Sequence, residues 1–181
     1  LLLRLKQSGH ETDWNRFVAL YSPLIRHWAT ACGLGEQDAD DLTQDVLATL
    51  IRKMPGFEYD PQRSFRAWLK TVTRNLWLDR ARRRSDRLLS ADAEALLEVT
   101  ADDRIGQLID QEYATAVTQR AMHLIRNEMS EQSWNACWQF AVLKRPAREV
   151  AESLGMTPTA VYAASARVLA RLRVELAGLL D

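Results

Sequence analysis

Residues 64–84, SFRAWLKTVTRNLWLDRARRR, require one helix to serve two unlike neighbours. Phe65, Trp68, Leu69, Val72 and Leu76 recur at helical spacing and predict a buried face. A second stripe, Arg66, Lys70, Thr73, Trp77, Arg80 and Arg84, advances in steps of four and three and stays in line along the same helix. Between Gln62 and Arg87 nine Arg or Lys stand against two Asp, a local net charge of +7. Cations follow phosphates, and an aromatic ring set among them offers a surface for an unstacked base. The alternative is a solvated basic helix with Trp77 half packed.

The charges on either side favour the first reading. The chain of 181 residues has no net charge, with 24 basic and 24 acidic residues, yet the signs are segregated. Residues 36–60 carry net −5, residues 90–113 net −6, and residues 144–175 net +3. Separate surfaces for different partners are expected from such blocks. The length suits one domain or two small ones. No apolar run approaches a membrane span, and the opening LLLRLK is too short for a signal peptide. Cys32 and Cys137 lack a CxxC or His companion, which predicts a reduced, cytoplasmic protein with two buried thiols and no metal site.

Helical periodicity runs through nearly the whole chain, and no alternating β-branched run bounded by hairpin turns is present. Trp14, Phe17, Tyr21, Ile25 and Trp28 mark a first apolar face, with a kink or restart expected at Ser22-Pro23. A second helix from about Glu36 to Met54 is expected to bury Leu42, Val46, Leu50, Ile51 and Met54. It aligns Asp38, Asp41 and Asp45 on another face. Acids in a first turn suit the helix dipole, but this row extends beyond the first turn. It reads as a solvated face, a docking surface for a basic partner, or, least favoured, carboxylates of a metal-dependent nuclease. Residues 54–63, MPGFEYDPQR, are a loop holding Phe57 and Tyr59. Residues 85–103 read as a linker, and periodicity returns from Ile105 to Ile125 as a long amphipathic helix.

In residues 146–173, Ala151, Gly155 and Val161 stand where a helix-turn-helix needs a small residue, a turn glycine and an apolar plug. Thr157-Pro158 supplies a cap and first-turn proline for the second helix. Val161, Val168, Leu169 and Leu172 are expected inside, and Thr159, Tyr162, Ala163, Ala166 and Arg167 outside. That is the geometry with which such units enter a major groove; the alternative is an ordinary helical hairpin.

The order of these stretches resembles the extracytoplasmic-function (ECF) sigma factors of bacterial RNA polymerase over nearly the full chain. DADDLTQDVLATLIRKM, residues 38–54, is similar to that family's acidic D-A-E-D-L-x-Q-E-x-F helix. Residues 64–84 resemble the segment that melts and reads the −10 element. EVAESLGMTPTAVYAASARVLARLR, residues 149–173, is similar to EIAEALGISVGTVKSRLHRARKRLR. The resemblance implies an all-α fold of two small helical domains joined by an acidic linker: residues 1–87, a linker over 88–111, and a helix-turn-helix domain over 112–181.

It also implies roles. Asp38, Asp41, Leu42, Asp45 and Val46 would dock on core polymerase. Phe57, Arg66, Lys70, Arg74, Asn75, Trp77, Arg80 and Arg84 would hold the −10 single strand, with Asn75 and Phe57 at the extruded base. Thr159, Tyr162, Ala163, Ala166, Arg167 and Arg171 would meet the −35 duplex. Tyr162, Ala164 and Ala166 replace the family's usual basic residues. Phosphate contacts from Arg167 and Arg171 with apolar contacts to thymine methyls are therefore expected in place of bidentate base reading. The helix before this motif, with Trp134 and Trp138, also departs from the family pattern, which marks a divergent subgroup. No catalytic residue, cofactor or metal is implied. Many relatives answer to an anti-sigma factor or a Ser/Thr kinase, and Thr43 in the acidic helix is a modifiable hydroxyl. The alternatives are a stand-alone helix-turn-helix regulator of duplex DNA and a helical adaptor that binds only proteins.

Overall fold

The computed structural model describes residues 1–7, 10–54, 64–85 and 103–180. Every regular element among them is helical: α1 (Leu2–Gln7), α2 (Glu11–Ala31), α3 (Glu36–Lys53), α4 (Phe65–Ser85), α5 (Arg104–Arg126), α6 (Glu131–Cys137), α7 (Ala147–Leu154) and α8 (Pro158–Leu176). The last turn of α6 widens into a π-helix over Trp138–Val142. The chain divides into two compact units, residues 1–117 with 178–181, and residues 118–177.

In the first unit α2 packs on α3, and α3 on α4. Helix α2 buries Phe17, Leu20, Tyr21, Leu24, Ile25 and Trp28, a stripe at steps of three and four. It runs unbroken through Pro23, so the expected restart there does not occur. Its rings pack with Phe65 at the start of α4. Phe17 and Tyr21 lie 4.7 Å apart, and Phe65 stands 5.9 Å from Phe17 and 5.3 Å from Tyr21. Tilted and edge-on ring pairs of this kind add about 0.5–1.5 kcal/mol each beyond simple burial. Helix α3 buries Ala39, Leu42, Thr43, Val46, Leu47 and Leu50, whereas Ile51, expected inside, is exposed.

Helix α5 spans the division between the units. Residues 104–117 group with the first unit, although the sequence divides them between linker and second domain. The cause is a stripe at steps of four: Ile105, Ile109, Tyr113 and Val117 are all buried. The Tyr113 hydroxyl lies 2.9 Å from that of Tyr21, and its ring stacks on Trp28. Of the linker, residues 88–102 lie outside the described residues.

The second unit is built as the helix-turn-helix spacing predicts. Ala136, Ala147, Val150, Ala151, Val161 and Ala164 form its core, with Phe140, Leu154 and Met156 packed against them. Gly155 ends α7 at φ 61° and ψ 37°, a left-handed conformation that costs an L side chain energy. Thr157 caps α8 by accepting from the Ala160 N–H at 3.2 Å, and Pro158 opens the helix. No atom lies within 4 Å of where a Cβ on Gly155 would sit. Gly155→Ala is therefore expected to lower stability through backbone strain alone, by about 1 kcal/mol, read as a fall in the denaturant midpoint. Leu169, expected inside, is exposed: α8 buries Val161, Ala164, Ser165 and Val168 instead.

Candidate nucleic-acid interface

The acidic row forms because α3 buries one arc and leaves another to water. Asp38, Asp41 and Asp45 are all exposed. Leu42 and Val46, assigned to the same docking surface, are wholly buried against the neighbouring helices. They support the row from beneath and cannot themselves reach a partner. Asp40 is engaged within the unit, 2.6 Å from the Arg26 guanidinium, and this contact pushes the Arg26 pKa up. Thr43 is buried, and its hydroxyl donates to the Ala39 carbonyl at 2.7 Å. That geometry hides it from a modifying enzyme.

Helix α4 is rotated by about one residue from the phase its sequence suggests. Phe65, Leu69, Val72, Thr73, Trp77 and Ala81 are buried, whereas Trp68 and Leu76 are only partly so. Trp77 is 2% exposed and is not a platform for a base in this structure. The neighbouring Thr73 on the same stripe is also inside. Among the described residues, neither the Trp77 indole N–H nor the Thr73 hydroxyl has a hydrogen-bond partner. Asn75 is exposed. Arg66 is half-buried. The side chain of Arg84 lies outside the described residues, as does all of Phe57.

Three further cations of α4, Lys70, Arg74 and Arg80, are held by acids of the first unit. The Arg80 guanidinium donates to Asp45 at 2.5 Å, which joins the cationic face to the acidic row. The Arg74 Nε donates to Asp103 at 2.8 Å, and Lys70 is paired with Asp110. Ion pairs as exposed as these are weak, so phosphates can exchange with the carboxylates.

On α8, Thr159, Tyr162, Ala163, Ala166 and Arg167 are exposed, as the sequence predicts. Ala164 belongs to the core. Arg171 is already committed: it donates to Glu128 at 3.1 Å and to Glu175 at 2.9 Å. Glu175 is wholly buried, so taking Arg171 away from it leaves a buried carboxylate with one fewer cation. Arg167 is thus better placed than Arg171 to meet a phosphate.

Sequence reasoning missed Lys144, Arg145 and Arg148. With Phe140, Pro158 and Tyr162 they line an open cleft of about 670 Å³ beside the start of α8. The signal was present in the net positive charge of residues 144–175, but only the fold brings those cations beside Tyr162. Tyr162 itself stands edge-on to Phe140, ring centres 5.1 Å apart, which fixes its direction.

Cys137 is buried, and burial pushes its thiol pKa up. Cys32 is partly exposed rather than buried, and its pKa is also raised by desolvation. Among the described residues no group of three or more His, Cys, Asp and Glu is arranged to hold a metal ion.

Residues 17–87, which contain the acidic row and the cationic helix, match the family model of Sigma-70 region 2. The chain is 28% identical over 179 residues to the RNA polymerase sigma factor CnrH of Cupriavidus metallidurans, covering 96% of this chain and 90% of that protein. It is 31% identical over 91 residues to the ECF RNA polymerase sigma factor SigE of Mycolicibacterium smegmatis, covering 50% of this chain and 34% of that one. With a region 2 match that carries both charged faces and a capped helix-turn-helix behind it, the chain has the organisation of the ECF sigma factors it is similar to, a family that directs RNA polymerase to promoters.

Proposed function

We propose that the two units divide promoter recognition between them. The exposed carboxylates Asp38 and Asp41 dock the first unit on a basic surface of core polymerase. Helix α4, through Asn75 and the cations Arg66, Lys70, Arg74 and Arg80, captures the non-template strand of the −10 element. Helix α8 reads the −35 duplex through Tyr162, Ala163, Ala166 and Arg167, with Lys144, Arg145 and Arg148 on the adjacent backbone. The observation that carries this reading is the Arg80–Asp45 contact. It sets a row of exposed acids directly beside a face of cations, so that polymerase and DNA meet one packed unit side by side.

The chemistry suits the task. Melting requires a surface that prefers unpaired DNA to duplex, and extruding a base costs a few kcal/mol that contacts to the strand can recover. The −35 side is read with few hydrogen-bonding groups. Specificity there rests on contacts of Tyr162, Ala163 and Ala166 with base edges and thymine methyls, and affinity on phosphates. An anti-sigma factor or a regulatory Ser/Thr kinase would act on these same faces. Work beside polymerase and promoter DNA places the protein in the cytoplasm. Among the described residues no helix is long and apolar enough to cross a membrane.

Run-off transcription on genomic fragments tests the reading. Core polymerase with this protein should yield discrete transcripts that core polymerase alone does not. Identical products with and without the protein would contradict it.

A further inference from the structure

We propose that the first half of α5 is an internal substitute for a DNA strand, keeping the cationic face of α4 occupied until promoter DNA displaces it. This rests on reading α4 as the strand-binding surface, and assigns the device that regulates it.

The placement is specific. Lys70 and Arg74 lie one turn apart on α4, and each is paired with an acid from a single segment, Asp110 and Asp103. Those acids are seven residues apart, Asp110 within α5 and Asp103 immediately before its first residue, roughly 10 Å along the helix axis. Beneath them Ile105, Ile109, Tyr113 and Val117 are buried. The Tyr113–Tyr21 hydroxyl contact, the Tyr113–Trp28 stack and a His27–Glu112 contact at 3.1 Å fix the register of α5 on α2. The apolar stripe therefore holds the segment in place, and the carboxylates meet the cations as a consequence. Gly106 contributes as well, since a Cβ there would collide with the Asp103 carboxylate.

Carboxylate and phosphate oxygens offer Lys and Arg the same charge-assisted acceptor. A strand engaging Lys70 and Arg74 must first displace two carboxylates that the fold keeps at high local concentration. Free strands therefore compete poorly. A strand that polymerase already presents to α4 has its own high local concentration, and exchange becomes favourable. The device suppresses binding to stray single strands without needing a second protein.

The test is a double-mutant cycle on the full chain, reading anisotropy of a labelled oligothymidylate at low salt. Asp103→Asn with Asp110→Asn should tighten binding about five- to tenfold, the worth of two partly exposed ion pairs. The gain should shrink as salt is raised. Lys70→Ala with Arg74→Ala should weaken binding and erase the gain. The single pair Asp110→Asn and Lys70→Ala gives the same cycle with a smaller amplitude, and thermal melting confirms that each variant is folded. Equal binding by wild type and the Asn variant, with the Ala variant weaker, would overturn the internal substitute while leaving α4 as the strand surface. A gain that survives Lys70→Ala with Arg74→Ala would also overturn it, because the effect would be one of net charge. Ala variants that bind like wild type would remove the strand surface itself, and the substitute with it.

Discussion

Asp38→Arg combined with Asp41→Arg is expected to reduce retention on core polymerase by about a hundredfold or more, with the fold intact. Both carboxylates are exposed on α3, and Asp38 lies in its first turn. Reversal in a first turn opposes the helix dipole, a cost of about 0.3–1 kcal/mol. At a docking surface the same change turns attraction into repulsion, which costs several kcal/mol, and each 1.4 kcal/mol is about tenfold in affinity. Co-purification and a thermal melt check it together. Asp45 is left out deliberately. Its carboxylate holds Arg80, and an arginine there would face another inside the same unit. Retention unchanged in a folded double variant would remove the acidic row from the polymerase surface.

Trp77→Ala and Asn75→Ala are expected to fail in different ways, although two residues apart. Trp77 is buried, and removing its ring should cost about 3–5 kcal/mol. That is a large share of the roughly 5–15 kcal/mol that keeps a domain folded. Polymerase retention and promoter opening should therefore fall together, with a lowered melting temperature. Asn75 is exposed, so its truncation should leave stability within about 0.5 kcal/mol. If it contacts the extruded base, opening should fall about tenfold while retention persists, the cost of one good base contact. A Trp77→Ala variant that melts like wild type but cannot open promoters would return the ring to the DNA surface.

The contrast shows what the sequence could say. The turn at Gly155 and the cap at Thr157 were legible because each depends on residues within one turn of itself, and the plug at Val161 because it stands at a fixed offset from that turn. The phase of α4 was not. Stripes through Leu76 and through Trp77 are both helical, and one residue of rotation separates them. Their neighbours decide between them: α3 offers Asp45 to Arg80, and α5 offers Asp110 to Lys70 and Asp103 to Arg74. No local pattern contains those contacts. The helix from Ile105 to Ile125 was legible as a helix, since α5 runs Arg104–Arg126. Its first half, rich in acid, looked like linker. Only the burial of Ile105, Ile109 and Tyr113 ties it to the first unit. Leu42 and Val46 are a different case: helical periodicity places them inside, as the structure does, and only the family resemblance assigned them to contact with a partner.

Permanganate reactivity of unpaired thymines on a promoter identified by run-off transcription separates an initiation factor from a stand-alone regulator. The protein alone and core polymerase alone should leave the duplex closed, and the two together should expose thymines in the −10 element. Tight sequence-specific duplex binding by the isolated protein, with no added reactivity when core polymerase is present, would contradict the account.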